Sequence, residues 1–310
     1  MPFTVQSVLA SPTGAALNLY TRGADGPARA VVQINHGLAE HAARYGRFAD
    51  FLAARGFVVY AHDHRGHGGT TAPDAPRGRF GTPNGAEKVI ADVAAVHDLI
   101  AEEQPGLPVI VFGHSMGGLV ALNFVLRHSK RVRAAAIWNA NFSAGFMGRI
   151  GQAMLAWEKF RLGSDVPSRL LPKLTFQAWG NKIPDHRTAF DWLSRDAEEV
   201  DKYISDPLCG WDASVSLWQD LFHFVFHGAD DRNFSDMRKD LPFNLVGGEQ
   251  DPATDGGKAV EALAGRMRGM GFSSLVSTIY QETRHESLNE LNRNVIMEDF
   301  VGWADSVVPE

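Results

Sequence analysis

One cysteine, Cys209, stands in a chain of 310 residues, so no disulfide can close within it. That absence rules out a stapled scaffold and fits a reducing compartment. No segment offers the ~20 apolar residues a membrane helix requires. The first residues, Met1-Pro2-Phe3-Thr4, lack the basic start and apolar stretch of a secretory leader, so a soluble, cytoplasmic protein is expected. Lys and Arg form no cluster and the formal net charge is −6, which argues against a nucleic-acid partner. No Gly-Lys-Ser/Thr phosphate loop and no His-Glu-x-x-His helix occur, so neither a nucleotide-binding loop nor that zinc-hydrolase pattern is present. Repeats and low-complexity tracts are also missing.

What is present is apolar residue in quantity, 45% of the chain, enough for a large core. Apolar runs over 30–35, 57–61, 109–112 and 134–138 suit buried strands. They alternate with helical spacing over 45–55, 87–102 and 116–128. This alternation implies an α/β fold with a mostly parallel sheet and right-handed crossovers. The rhythm stops over 141–227, which holds Trp157, Trp179, Trp192, Trp211 and Trp218 and reads as a helical insertion. It resumes with strands over 241–246 and 274–280 and helices over 258–270 and 294–306. The expected domains are therefore a core of residues 1–140 and 228–310 and a helical cap of residues 141–227.

The strongest chemical signal is Gly113-His114-Ser115-Met116-Gly117, between an apolar strand and a helix. This is the context of a nucleophile elbow, in which a strained turn lifts a serine hydroxyl out of the sheet. Residues two places either side must be small, and the helix N-terminus points its N–H groups at developing negative charge. One oxyanion donor is then the N–H of Met116. The second belongs to the loop after an early strand, His36-Gly37-Leu38, at Leu38. The serine needs a base and the base needs a carboxylate, in the order Ser, acid, His. Asp251 follows the strand that ends at Val246, with Glu249 and Asp255 as competitors. His285 is the only one of twelve histidines beyond Asp251, so order selects it. His62, His64 and His67 crowd around Asp63, and we read them as bonding one another to brace the loop, rather than as metal ligands. His114 either lines the site or packs, His223 and His227 are structural or pocket-lining, and Cys209 reads as a small buried residue.

These segments together resemble the monoacylglycerol lipase and lysophospholipase group of α/β hydrolases. The resemblance rests on His36-Gly37-Leu38-Ala39-Glu40-His41 with Tyr45, Asp63-His64-Arg65-Gly66-His67-Gly68, Gly113–Gly118, Gly248-Glu249-Gln250-Asp251-Pro252 and Arg284–Glu290. It implies the α/β-hydrolase fold, a triad of Ser115, Asp251 and His285, and oxyanion donors on Leu38 and Met116. Glu40 would help fix the oxyanion loop, with His36, Gly37 and His114 in support. It also implies an insertion that covers an acyl pocket, and hydrolysis of small acyl esters through an acyl-enzyme, without metal or cofactor. The sequence departs from the family at Gly69-Thr70 and throughout the insertion. Phe142, Phe146, Met147, Met154, Leu155, Trp157 and Phe160 are candidates for lining that pocket or for packing the cap. The stretch 151–162 is a candidate for transient contact with a membrane or micelle. Competing readings are a proline-type aminopeptidase or C–C bond hydrolase on the same fold, and a non-catalytic binding protein.

Overall fold

The computed structural model describes residues 3–143 and 145–308; the side chains of Phe146 and Met147 lie outside the described set. Eight strands form one sheet: β1 (Val5–Ala10), β2 (Ala16–Arg22), β3 (Ala30–Asn35), β4 (Phe57–His62), β5 (Val109–His114), β6 (Ala134–Trp138), β7 (Phe243–Gly248) and β8 (Leu275–Tyr280). Their order is β1-β2-β4-β3-β5-β6-β7-β8, parallel from β4 to β8 and antiparallel at β1/β2 and β2/β4. The helices are α1 (Gly46–Ala53), α2 (Gly85–Glu103), α3 (Met116–His128), α4 (Phe146–Leu162), α5 (Leu171–Leu174), α6 (Phe176–Asn181), α7 (Ala197–Ser205), α8 (Val215–Ala229), α9 (Lys258–Gly269) and α10 (Arg293–Val307).

The alternation along the strands divides the core into two faces. Ile110, Phe112 and Trp138 pack with Phe48 of α1 and Phe300 of α10. Val111, Ile137 and Leu245 pack with Val93 of α2, Phe124 of α3 and Leu263 of α9. The two antiparallel strands were not expected from the sequence. β1 is largely exposed, so it carries no buried run to betray it, and only pairing with β2 makes it a strand.

Between β6 and β7 the chain passes through α4 to α8. Their buried residues divide between two hydrophobic clusters. Trp218, Leu221 and Phe224 of α8 share a hydrophobic cluster with α2 and α3. Ile183, Trp192, Leu193 and Tyr203 form a separate small cluster. Phe142 and Leu155 are buried in the main core, whereas Trp157 is 51% and Phe160 90% exposed.

α8 also meets the start of α2, where a side-chain carbon at Gly85 would lie 2.1 Å from Oδ2 of Asp220. Burial pushes the Asp220 carboxyl up to about 7, against the opposing pull of the Ala86 N–H and the charges of Lys159 and Arg65. Its folded pKa thus exceeds the unfolded value of ~4, so the folded state holds the extra proton between them. The stability this gives is complete below the unfolded value and is lost as pH rises through about 7. Urea unfolding of wild type and Asp220→Asn from about pH 3 to about pH 8, limits that bracket both pKa values, checks it. The variant is expected to gain on wild type as pH rises and to level off above about 7.

Candidate active site

The C-terminal ends of neighbouring parallel strands deliver the predicted site, as open α/β sheets do. His36 and Gly37 follow β3, Ser115 follows β5, Asn139 follows β6, Asp251 lies just past β7 and His285 past β8. Ser115 sits between β5 and α3 at φ 56°, a region a non-glycine residue enters only under constraint. Its N–H is held by the Trp138 carbonyl at 2.9 Å, and Gly118 and Leu119 donate to its own carbonyl. The flanking glycines are there for contact distance. A side-chain carbon at Gly113 would lie 2.1 Å from the Gly117 carbonyl oxygen, and one at Gly117 2.0 Å from that of Asn35.

The three residues selected by chain order meet. Ser115 Oγ lies 2.9 Å from His285 Nε2, and His285 Nδ1 lies 3.0 Å from both Asp251 oxygens. Asp251 is fully buried and also accepts from Thr254 Oγ1 at 2.8 Å, Ala253 N at 2.9 Å and Asn139 Nδ2 at 3.1 Å. Burial alone would raise its carboxyl. The charge and hydrogen bond of His285, with the bonds from Asn139 and Thr254, outweigh that and hold it below its usual value. The competing carboxylates Glu249 and Asp255 are exposed at the surface of the same turn.

Leu38 lines both cavities beside Ser115, and Met116 lines the larger. Among the described residues no protein acceptor takes either N–H. Glu40 fixes the loop that carries Leu38: its Oε1 accepts from Gly37 N at 2.6 Å and Tyr45 OH at 2.9 Å. Arg44 joins Glu40 at 2.5 Å to Glu286 at 2.6 and 2.7 Å. Burial would raise the Glu40 carboxyl, but Arg44, His114 and His36 hold it well below its usual value. His114 donates from Nε2 to the His285 carbonyl at 2.8 Å, and its Nδ1 is 3.8 Å from Glu40. Burial would lower its pKa; the Glu40 carboxylate and the His285 carbonyl raise it on balance. His36 faces the interior: its Nε2 accepts from His64 N at 2.9 Å, and burial holds it down at about 4.

The histidine group around Asp63 differs from expectation. Its imidazoles do not bond one another. They pack as rings, His36–His64 at 4.5 Å and His62–His64 at 4.7 Å between centroids. The brace is Asp63, which accepts from Asn18 Nδ2 at 2.7 Å and from Ala42 N and Gly69 N at 2.8 Å. Thr70 adds its hydroxyl to the Asp63 carbonyl at 2.5 Å. Burial holds His62 and His67 at about 3, so these rings stay neutral and apolar packing suits them. Among the described residues, one group brings three metal-capable side chains within 4.8 Å: His41, Asp206 and Cys209. There His41 Nε2 meets Asp206 Oδ2 at 2.8 Å as a hydrogen bond, and burial pushes the Cys209 thiol up. His223 and His227 lie on α8 beside Glu87 and line neither cavity.

Two cavities meet at Ser115. One of about 230 Å³ runs between α3, α6 and α8, and its walls include Leu119, Phe176, Trp179, Trp218 and Phe222. The other, about 30 Å³, lies towards Trp192, Tyr203 and Trp211. Of the α4 residues singled out from the sequence, Met154, Leu155, Trp157 and Phe160 line neither of them, and the side chains of Phe146 and Met147 lie outside the described residues. Trp179 and Trp218 were visible as part of a Trp-rich insertion; nothing in the sequence marked Phe176 or Phe222.

A profile of the Hydrolase_4 family, described as serine aminopeptidase, S33, matches residues 26–292. A monoacylglycerol lipase of Mycolicibacterium smegmatis is 31% identical over 180 residues, 58% of this chain and 56% of that protein. The chain spans little more than half the length of the first curated relatives it matches. Among solved structures, a carboxyl esterase from Bacillus coagulans superposes with a TM-score of 0.89 at 21% identity, covering 98% of this chain and 99% of that one. A lipase in its open form superposes at 0.84 with 28% identity and 99% of each chain covered. Sheet order, helix placement and these superpositions make the architecture that of an α/β hydrolase, and with its profile match the chain belongs to the serine aminopeptidase S33 family, Hydrolase_4.

Proposed function

We propose that the chain is a serine carboxylic ester hydrolase acting on monoacylglycerol- or lysophospholipid-like or other small acyl esters. The observation that carries this reading is the relay from Asp251 through His285 to Ser115, with contacts of 3.0 and 2.9 Å, beside an apolar cavity. Ser115 Oγ attacks the ester carbonyl carbon while His285 Nε2 takes its proton. Asp251 fixes the tautomer and stabilises the imidazolium. The N–H groups of Leu38 and Met116, free of protein acceptors, bind the oxyanion. His285 then returns the proton to the leaving alcohol. Water, deprotonated by the same ring, cleaves the acyl-enzyme. Met116, Leu119 and the aromatic walls accept the acyl chain, and residues 141–227 act as the cap.

The family description raises a peptidase as the second reading. An aminopeptidase must meet a substrate ammonium, for which a free carboxylate is the natural partner. Glu40 and Glu286, the carboxylates by the smaller cavity, are both engaged by Arg44. Among the described residues, no acidic side chain lines the larger cavity. That favours esters. Hydrolysis of p-nitrophenyl esters and a monoacylglycerol, beside an aminoacyl p-nitroanilide, tests it. Ester turnover is expected to fall ~10⁶-fold in Ser115→Ala and ~10⁴-fold in Asp251→Asn. Faster turnover of the anilide would replace the esterase by a peptidase.

Exposed Trp157 and Phe160, with the Arg161 guanidinium 4.6 Å from the Trp157 ring centre, support transient contact of the cap with a lipid aggregate. Trp157→Glu is expected to lower turnover of micellar substrate severalfold while leaving a soluble short-chain ester unchanged. Equal effects on both would remove the membrane contact from the proposal.

A further inference from the structure

The larger cavity is bounded along one side by α8, which presents Trp218, Leu221, Phe222 and Val225. Their spacing, three and four residues apart, makes one continuous helical stripe. Trp218 and Leu221 are buried against the core, so they are fixed by the packing of α8 on α3. Phe222 is different. It is only half-buried, and its ring reaches across to α4, where it sits at Gly151. A side-chain carbon at Gly151 would lie 2.6 Å from Cζ and 3.1 Å from Cε1 of that ring. The absence of a side chain at 151 is therefore what admits the ring. The next turn repeats the arrangement more loosely: a carbon at Gly148 would lie 3.4 Å from Phe226 Cζ.

We propose that Phe222 is the specificity-determining wall of the acyl cavity, and that the notch at Gly151 sets how much length that cavity accepts. The proposal rests on the ester-hydrolase reading for the identity of the ligand, an unbranched acyl chain, but its geometry stands on α4 and α8 alone. The ring has the cavity on one side and α4 on the other. A methyl group at 151 displaces the far end of a flexible side chain, and the space available to it is the cavity. Removing the ring opens the cavity towards α4. The two changes thus act in opposite directions on one quantity, the longest chain accommodated. Each methylene accepted or refused in an apolar pocket changes selectivity about tenfold or more.

The test has two arms. In the first, kcat/KM is measured for p-nitrophenyl esters of two to fourteen carbons (about the span of short to medium acyl chains, each methylene a resolvable step), each variant normalised to its own acetate rate. Phe222→Ala is expected to raise long-chain over short-chain preference about tenfold, and Gly151→Ala to lower it by a similar factor. The double variant Gly151→Ala/Phe222→Leu, in which no ring tip remains for the added methyl to displace, is expected to keep the cut-off of Phe222→Leu alone, whereas independent sites would add the full Gly151→Ala shift to it. In the second arm, binding of saturated fatty acids over the same lengths is measured by calorimetry in a Ser115→Ala background, where no chemistry is needed. The length cut-off is expected to move with the same variants in the same directions. If wild type hydrolyses no ester yet the binding cut-off moves, the ester reading fails and the wall stands. If the cut-off is unmoved, if both single variants shift it the same way, or if no fatty acid binds, the proposal is overturned.

Discussion

The site depends on the close approach of the first turn of α3 to the end of β3. Gly117 lies so near the Asn35 carbonyl that no side chain fits between them, and Gly113 lies as near to Gly117. This contact forces the chain to reverse at Ser115 within a single residue, which is why that serine occupies φ 56°. Such a conformation costs ~1–3 kcal/mol and persists only where surroundings over-determine it. Here they do: β3, β5 and β6 are registered side by side at Asn35–Gly113 and His114–Trp138. The Trp138 carbonyl then holds the Ser115 N–H at 2.9 Å. The same approach brings the loop after β3 alongside. A side-chain carbon at Gly37 would be 3.4 Å from Ser115 Cβ. Serine and the loop bearing Leu38 are thus placed by one contact rather than two.

Around that point the structure buries several charges, and it does so in groups that satisfy one another. Arg44 sits between Glu40 and Glu286, and Asp251 faces His285. Burial opposes ionisation at both Glu40 and Asp251, yet both are held below their usual values because their partners outweigh it. In such a setting the loss of one partner strands the other, which is far more costly than the pair is stabilising. Glu40 shows how this serves position: the carboxylate that pairs with Arg44 also receives the Gly37 N–H, so the loop beside the serine is tied to a charge that cannot easily leave.

Much of this was legible in the sequence. β3, α3 and β6 lie where apolar runs and helical spacing put them, because both faces of the parallel strands are buried and their sequences are continuous apolar runs. Ser115, Asp251 and His285 were reached from local context and chain order, and the structure brings them together. β1 was not legible, since an exposed edge strand has no buried pattern. The cavity lining was not legible either. Apolar residues on α4 divide between core and solvent, Leu155 inward and Phe160 outward, while Phe176 and Phe222 face the cavity. Which face of an inserted helix meets a pocket is decided by how that helix docks, and docking is a long-range property. The histidines near Asp63 make the same point: spacing brought them together, but their rings pack against one another and bond backbone groups instead of bonding ring to ring.

The way the inserted helices dock also separates the cavity into a fixed and a less fixed side. α8 belongs to the main core: Trp218, Leu221 and Phe224 pack with α3, and Asn123 Nδ2 on α3 donates to the Phe224 carbonyl at 3.0 Å. Moving α8 would open the largest hydrophobic cluster among the described residues and cost the buried Asn123 amide one of its two hydrogen bonds, the other running to the Leu119 carbonyl at 2.8 Å, so α8 is a wall set by folding itself. The segment from α6 to α7 rests instead on its own small cluster and on a few polar ties. Tyr203 OH reaches the Ala39 carbonyl at 3.0 Å, and Arg284 reaches the Asp191 carbonyl at 2.6 Å. These two end on the loop after β3 and on the segment beside His285, while Glu199 of α7 pairs with Arg47 of α1 and Asp196 with Arg293 of α10, each at 2.7 Å. The wall of the larger cavity formed by α8 is therefore anchored to the core and has a shape set by folding. On the other side of Ser115, Tyr203 lines the smaller cavity and is tied to the loop after β3, and the Trp192 and Leu193 carbonyls accept from His285 N at 3.3 Å and Glu286 N at 2.7 Å, so that wall is registered on the two loops that flank Ser115.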